Sequence, residues 1–216
     1  MFVEPKRLEK IKQMEFDSTI PQHRAVRIEK FMKGPFADFI GDSGVGDPPA
    51  NDSLKTYEEL KFLSKLETDP EFVKEHDDIA NSFKKVFDKY GEDFPEKFVE
   101  KVLKDVDGLI LFYKYFWNRP RPAQLAKEYN VDLGDTKPLE SMDTPSYPSG
   151  HSVQGTLLAE LLADQVDENV RLKYDIREVG KNISYSRQVG RGHYPSDSKA
   201  GVKLGRKIYQ YMRENP

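Results

Sequence analysis

Apolar residues recur at helical spacing along almost the whole chain, and no segment alternates apolar and polar residues as a half-buried strand does. The clearest stripes run over residues 53–67 and along the C-terminal segment that begins at Pro195. Prolines open several of these segments, at the first-turn position where a helix tolerates them. The pattern predicts an all-α protein, a compact bundle of about seven or eight helices in a single domain.

Turn and capping residues set the predicted boundaries. The predicted helices are Pro21 to about Met32, Ser53–Glu67, Asp69 to about Gly91, Pro95–Trp117, Gly150 or His151 to about Asp167, Asn169–Tyr185, and a last helix from Pro195. Two segments rich in glycine, proline and aspartate, Gly41–Asp52 and Asp132–Tyr147, are predicted loops. Gly201 and Gly205 share a face of the last helix, a pattern compatible with close packing of another helix or with simple tolerance of glycine. We expect residues 1–50 to form a helical extension packed on a domain of residues 51–216.

Composition excludes several classes of function. The 34 Lys and Arg against 37 Asp and Glu leave a net charge of -3, which gives no electrostatic case for a nucleic acid or an anionic membrane as partner. The absence of cysteine excludes disulfides, thiolate zinc sites and cysteine nucleophiles. The N-terminus has no apolar stretch typical of a secretory signal, and the most apolar run, Leu109–Trp117, is too short to span a bilayer. We therefore expect a soluble, cytoplasmic protein; the sequence leaves assembly into homo-oligomers open.

Three short blocks in the second half carry the residues with chemistry. The first is Lys114 with Arg121-Pro122, the second is Pro148-Ser149-Gly150-His151, and the third is Ser186-Arg187 with His193 and Asp197. Each of these eleven positions would match by chance about one time in twenty, so the ordered combination is a specific signal. The blocks supply three cations, two histidines, a hydroxyl, a glycine and a carboxylate, which together suit binding a tetrahedral oxyanion and attacking it with an imidazole.

Each block alone also has an ordinary structural explanation. Lys114 is compatible with a long side chain that places only its charged tip in water. Arg119 competes with Arg121 as the functional arginine, and the Arg-Pro repeat is compatible with a simple helix stop. Ser149 is compatible with an N-cap, and His193 with a capped surface histidine. The interpretation as a phosphoryl-transfer site depends on the combination.

The spacing within the blocks favours specific roles. Asp197 lies four residues after His193, at a predicted helix start, so its carboxylate can bind one ring nitrogen and leave the other free to attack. Ser149 and Gly150 lie at a predicted helix N-terminus, where backbone N–H groups bind anions. Arg187 would contribute the bidentate contact that phosphate prefers.

These three blocks resemble the signature of the type 2 phosphatidic acid phosphatase superfamily, over about Lys114–Gly205. That group includes bacterial acid phosphatases, membrane lipid phosphatases and vanadium-dependent haloperoxidases. The resemblance implies a phosphohistidine on His193, oriented by Asp197, and a general acid, His151, that protonates the leaving alcohol and later activates water. It implies no metal cofactor, with vanadate as an inhibitor or transition-state mimic. The phosphate-binding residues that it implies are Lys114, Arg121, Ser149, Gly150 and Arg187.

The run from His193 to Asp197, followed by Gly201, is similar to the lipid-phosphatase branch, whose members are built from transmembrane helices. Because no segment here is apolar enough to span, we expect an acid phosphatase-like hydrolase acting on a water-soluble phosphomonoester, with a bell-shaped pH profile and an acidic-to-neutral optimum. The alternatives are a vanadium-dependent haloperoxidase and a helical binding module with an inactive site. The other histidines, His23 and His76, lie among charged residues and are expected at the surface.

Overall fold

The structure is a computed structural model that describes residues 4–17, 19–34, 36–42, 44–134, 142–166 and 169–215, with residues 40–42 described by their backbone alone. The helices are α1 (Pro5–Gln13), α2 (Gln22–Met32), α3 (Leu54–Lys65), α4 (Pro70–Glu75), α5 (Ile79–Tyr90), α6 (Glu96–Trp117), α7 (Pro122–Tyr129), α8 (Gly150–Gln165), α9 (Val170–Val189) and α10 (Pro195–Glu214), with a 3-10 helix, Ala37–Asp42, before α3. No strand occurs in the described residues. Seven of these α-helices have eleven residues or more, and the predicted all-α bundle is confirmed.

The α8 helix is the centre of the bundle. It packs most extensively against α9 and α10 and also contacts α5 and α6. Buried side chains lie on all its sides, which is the pattern of a helix inside a core. A second apolar cluster joins α1, α3 and α7 to the residue that precedes α10; its members include Ile11, Leu60, Leu63, Leu125 and Tyr194. The start of α10 is thus anchored by a core of its own.

Two glycines on α10 allow this helix to approach α8 closely. A Cβ at Gly201 would lie 2.5 Å from the carbonyl oxygen of Ser149, and one at Gly205 would lie 2.6 Å from that of Val153. Both distances are far below an ordinary contact, so only glycine fits at this separation. The close approach brings the first turn of α8 against the first turn of α10.

The helix predicted from Asp69 to about Gly91 is in fact two helices, α4 and α5. The chain leaves the helical conformation after Glu75, and Asp78 caps α5 by accepting a hydrogen bond from the Asn81 N–H at 3.0 Å. The prediction was wrong because the apolar stripe continues through the break, while the cap is marked only by an aspartate inside a charged run. The break turns the backbone so that Asp77 faces the predicted site residues.

The α7 helix was missed in the sequence. It begins with Pro122 at its first position and Arg121 as its N-cap, directly after the Arg-Pro repeat. The α6 helix ends at Trp117, and Asn118 adopts a left-handed conformation with φ 45°. The seven-residue spacing of Lys114 and Arg121 would place both on one face of a continuous helix, but in the structure they lie on opposite sides of a turn.

The two remaining histidines differ in burial. His23 is exposed, as predicted, whereas the prediction of a surface position for His76 was wrong. The His76 side chain is buried because its ring lies against the Phe72 ring, at a centroid distance of 4.4 Å, and its Nδ1 is 2.8 Å from the Phe72 carbonyl oxygen. Four-residue spacing at the end of α4 brings the two rings together.

The predicted loop over residues 132–147 is irregular at 132–134 and, after a 3-10 residue at Met142, consists of bends and irregular backbone at 143–147; its middle, residues 135–141, lies outside the described residues. Residues 44–50 of the other predicted loop are also irregular. Among the helices that the structure describes, none combines the length and the apolar character needed to cross a membrane.

Candidate active site

The ends of five helices bring the motif residues into one buried cluster. Lys114 lies in the last turn of α6 and Arg187 in the last turn of α9, while Arg121 caps α7. The first turns of α8 and α10 supply the rest, which are Ser149, Gly150, His151 and Asp197, and His193 lies just before α10. Proline, serine and glycine mark these helix ends in the sequence, which is why residues near them can be predicted to meet.

His193 is held in one tautomer by its two neighbours. Its Nδ1 lies 3.3 Å from an Asp197 carboxylate oxygen, and its Nε2 lies 2.9 Å from Nη1 of Arg121. An arginine can only donate, so Nε2 is the acceptor and the ring proton is on Nδ1, where the carboxylate accepts it. The lone pair of Nε2 therefore points toward the cationic side of the cluster.

Burial and the surrounding cations both favour the neutral form of the His193 ring. Burial lowers the pKa of His193 well below its usual value of 6.5, and the nearby charges of Arg121 and Lys114 lower it further. A neutral imidazole is a nucleophile, whereas an imidazolium is not. The environment thus favours the reactive protonation state even in acidic solution.

Lys114 is buried, so the alternative of a side chain with its tip in water is excluded. It is 4% exposed, and its Nζ donates to the carbonyl oxygen of Pro145 at 2.6 Å. Burial and the charge of Arg121 lower the pKa of Lys114 well below its usual value. An ammonium has three donors, so this group retains donors for a ligand. A buried cation is costly unless an anion neutralises it, which favours an anion-binding function.

The two arginines of the Arg-Pro repeat have separate positions. Arg121 contacts His193 and also donates to the carbonyl oxygens of Thr144 and Gly192, both at 2.8 Å. Arg119 instead binds Asp197, with Nη1 2.5 Å from a carboxylate oxygen, and stacks over the Tyr194 ring. Arg121 thus contacts Nε2 of His193, whereas Arg119 contacts the Asp197 carboxylate that binds the other ring nitrogen of His193. Burial lowers the pKa of Arg121 to about 10, which leaves its guanidinium charged.

The start of α8 has the form of an anion cradle. The Ser149 hydroxyl accepts from the N–H and the hydroxyl of Ser152, at 3.3 and 2.9 Å, so its own proton can be donated to a ligand. The Ser149 N–H binds the backbone carbonyl of Asp197 at 3.1 Å. A Cβ at Gly150 would meet Ile110 at 3.3 Å and Lys114 at 3.6 Å, so glycine keeps the backbone close to the lysine.

Solvent reaches the cluster from the side of His151. The side chain of His151 is 15% exposed, whereas those of Arg187 and His193 are 1% and 3% exposed. His151 and Arg187 both contact Asp77, which lies between α4 and α5 and was not predicted as a site residue. A bound oxyanion would therefore have its cationic partners inside and its remaining substituent directed past His151.

Other polar partners were also missed in the sequence, and they support the motif residues from outside the blocks. Ser146 donates to the Asp197 carboxylate, and the backbone N–H of Ser146 binds the Arg119 carbonyl at 2.9 Å. Glu59 of α3 accepts from the Ser196 N–H at 2.9 Å and lies 3.6 Å from Arg119. Burial raises the pKa of Glu59. Of these partners, only Ser146 could have been suspected from the sequence, because it lies two residues before the second block.

The cluster is built from N–H and O–H donors and from cationic side chains, a donor set that suits an oxyanion rather than a metal cation. Across the described ranges, no group of three or more histidine, aspartate or glutamate side chains is arranged to hold a metal ion. A neutral imidazole faces the cations on one side, and a second imidazole lies at the exposed edge. Nucleophilic attack on a bound phosphoryl group is the chemistry that this arrangement suits.

Comparison with known proteins agrees with this geometry. A family model described as the PAP2 superfamily matches residues 105–211, about half of the chain, and this segment contains every motif residue. No curated protein matches the sequence significantly. Residues 105–211 cover α7 to α9 and most of α6 and α10, which carry those residues. Through this segment the chain belongs to the PAP2 superfamily, whose members are generally phosphatases and related hydrolases.

Proposed function

We propose that the chain is a phosphatase that hydrolyses a water-soluble phosphomonoester through a phosphohistidine intermediate on His193. The observation that carries this proposal is the orientation of His193, whose Nε2 lone pair faces Arg121 while Asp197 binds the opposite ring nitrogen. Membership in a superfamily of phosphatases and related hydrolases supports the reaction class. Family membership does not extend to the substrate or to the phosphohistidine intermediate, and both are proposed here.

In the first step, Arg121 transfers its hydrogen bond from Nε2 of His193 to a phosphoryl oxygen, and the freed Nε2 lone pair forms a bond to phosphorus as the bond from phosphorus to the ester oxygen breaks. His151, in its imidazolium form, transfers a proton to that oxygen, so a neutral alcohol leaves. Lys114, Arg121 and Arg187 bind the three other phosphoryl oxygens, where negative charge is concentrated in the transition state.

In the second step, a water molecule replaces the alcohol at the edge of the site. His151, now neutral, takes a proton from the water as its oxygen bonds to phosphorus. The bond between phosphorus and Nε2 breaks, inorganic phosphate leaves, and both histidines return to their starting protonation states. Asp197 binds the Nδ1 proton of His193 throughout and stabilises the positive charge of the phosphorylated ring.

Two features support a phosphomonoester as the substrate class. Three buried cations suit the dianion of a monoester better than the single charge of a diester. The partial exposure of His151 leaves room for the ester group at the edge of the site, where it meets solvent. The proposal uses no metal, because the cationic side chains supply the charge stabilisation.

The test is hydrolysis of p-nitrophenyl phosphate by purified protein in EDTA, from about pH 4 to pH 9. The His193→Ala variant is compared with His23→Ala, a matched control at an exposed histidine. We expect turnover in EDTA for the wild type and the control, none for His193→Ala, and inhibition by vanadate.

Turnover that persists in His193→Ala would overturn the proposed nucleophile. Absence of turnover with a panel of soluble phosphomonoesters would overturn the proposed substrate class. The same cationic cluster also suits vanadate, so an inactive wild type is then assayed for bromide oxidation by peroxide after incubation with vanadate. Activity in that assay would establish the haloperoxidase alternative.

A further inference from the structure

Asp77 enters the site from a part of the chain that carries none of the motif residues. It lies in the short connection between α4 and α5, upstream of the segment that matches the family. The end of α4 at Glu75 and the cap of α5 by Asp78 set the direction of this connection. The carboxylate of Asp77 is consequently at the exposed edge of the cluster, with 33% of its side chain accessible.

One carboxylate oxygen of Asp77 contacts both Arg187 and His151. It accepts a hydrogen bond from Nη1 of Arg187 at 2.7 Å and lies 3.4 Å from Nε2 of His151. The same ring nitrogen is 3.0 Å from the backbone carbonyl oxygen of Asp77. Because both oxygens are acceptors, Nε2 of His151 carries a proton, and Nδ1 is the nitrogen left to exchange a proton with a ligand.

We propose that Asp77 is a positioning residue of the reaction, which holds the His151 ring with Nδ1 toward the leaving oxygen and keeps Arg187 in place for the phosphoryl group. This inference depends on the proposed function of the site. It gives the site two histidine–aspartate pairs, one for the nucleophile and one for the general acid. The second pair joins His151, which lies in the segment that matches the family model, to Asp77, which lies upstream of that segment.

Electrostatics favour the same role. Among the described residues, the charged or titratable groups that act on His151 include Asp77 from the α4–α5 connection, Arg187 from α9 and His193 from the link before α10. Burial lowers the pKa of His151, the charge of Arg187 lowers it further, and the hydrogen bond to Asp77 opposes both. The hydrogen bond from His151 in turn lowers the pKa of Asp77, so this group is a carboxylate at every pH of interest. An anion beside the ring stabilises the imidazolium that must donate the proton.

A purely structural role for Asp77 predicts a loss of stability without a change in the pH profile. The positioning role predicts a change in the profile, because removal of the anion lowers the pKa of His151. His151 then loses its proton at a lower pH, and the alkaline limb of kcat/KM moves toward acid. The expected displacement is about one pH unit, with a loss of about 10- to 100-fold in kcat.

The experiment compares Asp77→Asn with Asp77→Glu and with Asp69→Asn, a matched control. Asp69 caps α4, and asparagine is an equally good cap, so this control removes one charge nearby without touching the site. We expect the displaced alkaline limb only in Asp77→Asn and partial rescue by glutamate. A wild-type profile in folded Asp77→Asn would overturn the inference.

A double-mutant cycle with His151→Ala tests the path through the histidine. If Asp77 acts through His151, Asp77→Asn lowers kcat much less in the His151→Ala background than in the wild type. Equal losses in both backgrounds would contradict that part of the inference.

An NMR titration of the His151 ring in wild type and Asp77→Asn needs no turnover. A lower midpoint in the variant supports the inference even if every phosphomonoester fails as substrate, and equal midpoints overturn it. A failure of the proposed function would appear in the wild-type assay, whereas a failure of this inference would appear only in the variants.

Discussion

Substitution of Gly201 by alanine tests whether the close approach of α10 to α8 positions the site. The new Cβ would lie 2.5 Å from the carbonyl oxygen of Ser149 and 2.7 Å from Cβ of Ser152. Ordinary contact begins at 3.4 Å, so the two helices must separate by about 0.9 Å at this point. The displaced residues include Ser149, whose N–H binds the backbone of Asp197.

The magnitude follows from two opposing effects. Overpacking of this severity costs up to about 3 kcal/mol, while alanine in a helix interior is about 1 kcal/mol better than glycine. We therefore expect Gly201→Ala to lower the free energy of unfolding by about 2 kcal/mol. Because a displacement of about 1 Å between reacting groups lowers rates about 100-fold, we expect a similar fall in kcat.

Urea denaturation and p-nitrophenyl phosphate turnover measure the two effects separately. In Gly205→Ala the new Cβ would meet the carbonyl oxygen of Val153, one helical turn further from the site. We therefore expect a similar loss of stability with a smaller loss of kcat. Gly46→Ala is the control, because a Cβ there meets nothing within 4 Å. Wild-type stability and kcat in Gly201→Ala would refute the reasoning.

Three further predictions concern buried charge. Lys114→Met removes a buried ammonium whose pKa burial lowers, so the free energy of unfolding should rise by about 1–2 kcal/mol in urea denaturation while turnover is lost. Arg119→Met leaves the buried carboxylate of Asp197 without its cation, and the same measurement should show a loss of about 3–5 kcal/mol. The profile of kcat/KM should rise with pH as His193 loses its proton and fall as His151 does; since the pKa values of both are below 6.5 and that of His193 is well below, the optimum should lie on the acid side of 6.5.

Each of these three predictions has a result that would contradict it. A Lys114→Met protein less stable than the wild type would show that the lysine contributes to folding rather than only to binding. Arg206→Met, at an exposed position of α10, is the control for Arg119→Met and should change stability by less than about 0.5 kcal/mol. Equal effects of these two substitutions would refute the buried ion pair, and an optimum above pH 7.5 would refute the assigned roles of the histidines.

Much of the fold and the proximity of the motif residues were predictable because the relevant signals are local. Helical periodicity and proline at helix starts predicted the beginnings of α6 and α10 to within a residue. The contact from Asp197 to His193 follows from four-residue spacing at a helix start, as predicted. The burial of Lys114 was not predictable from its own segment, because the carbonyl oxygen of Pro145 that binds it is 31 residues away.

The errors have a common physical cause. The break between α4 and α5 depends on a cap by Asp78, whose effect on the backbone outweighs an apolar stripe that continues across it. Asp77 then meets His151 from 74 residues away, and Glu59 meets Ser196 from 137 residues away. Such contacts are set by the tertiary arrangement of α3 with α10 and of the α4–α5 connection with α8, and spacing within a motif carries no information about them.

The most direct test of the central claim is detection of the phosphorylated protein itself. Wild type and His151→Ala are mixed with p-nitrophenyl phosphate, quenched in base, where phosphohistidine is stable, and examined by intact-protein and peptide mass spectrometry. The mechanism predicts one added phosphoryl group, located on His193, which accumulates more in His151→Ala because its hydrolysis needs that base. Turnover without a protein-bound phosphoryl group, or a phosphoryl group on another residue, would contradict it.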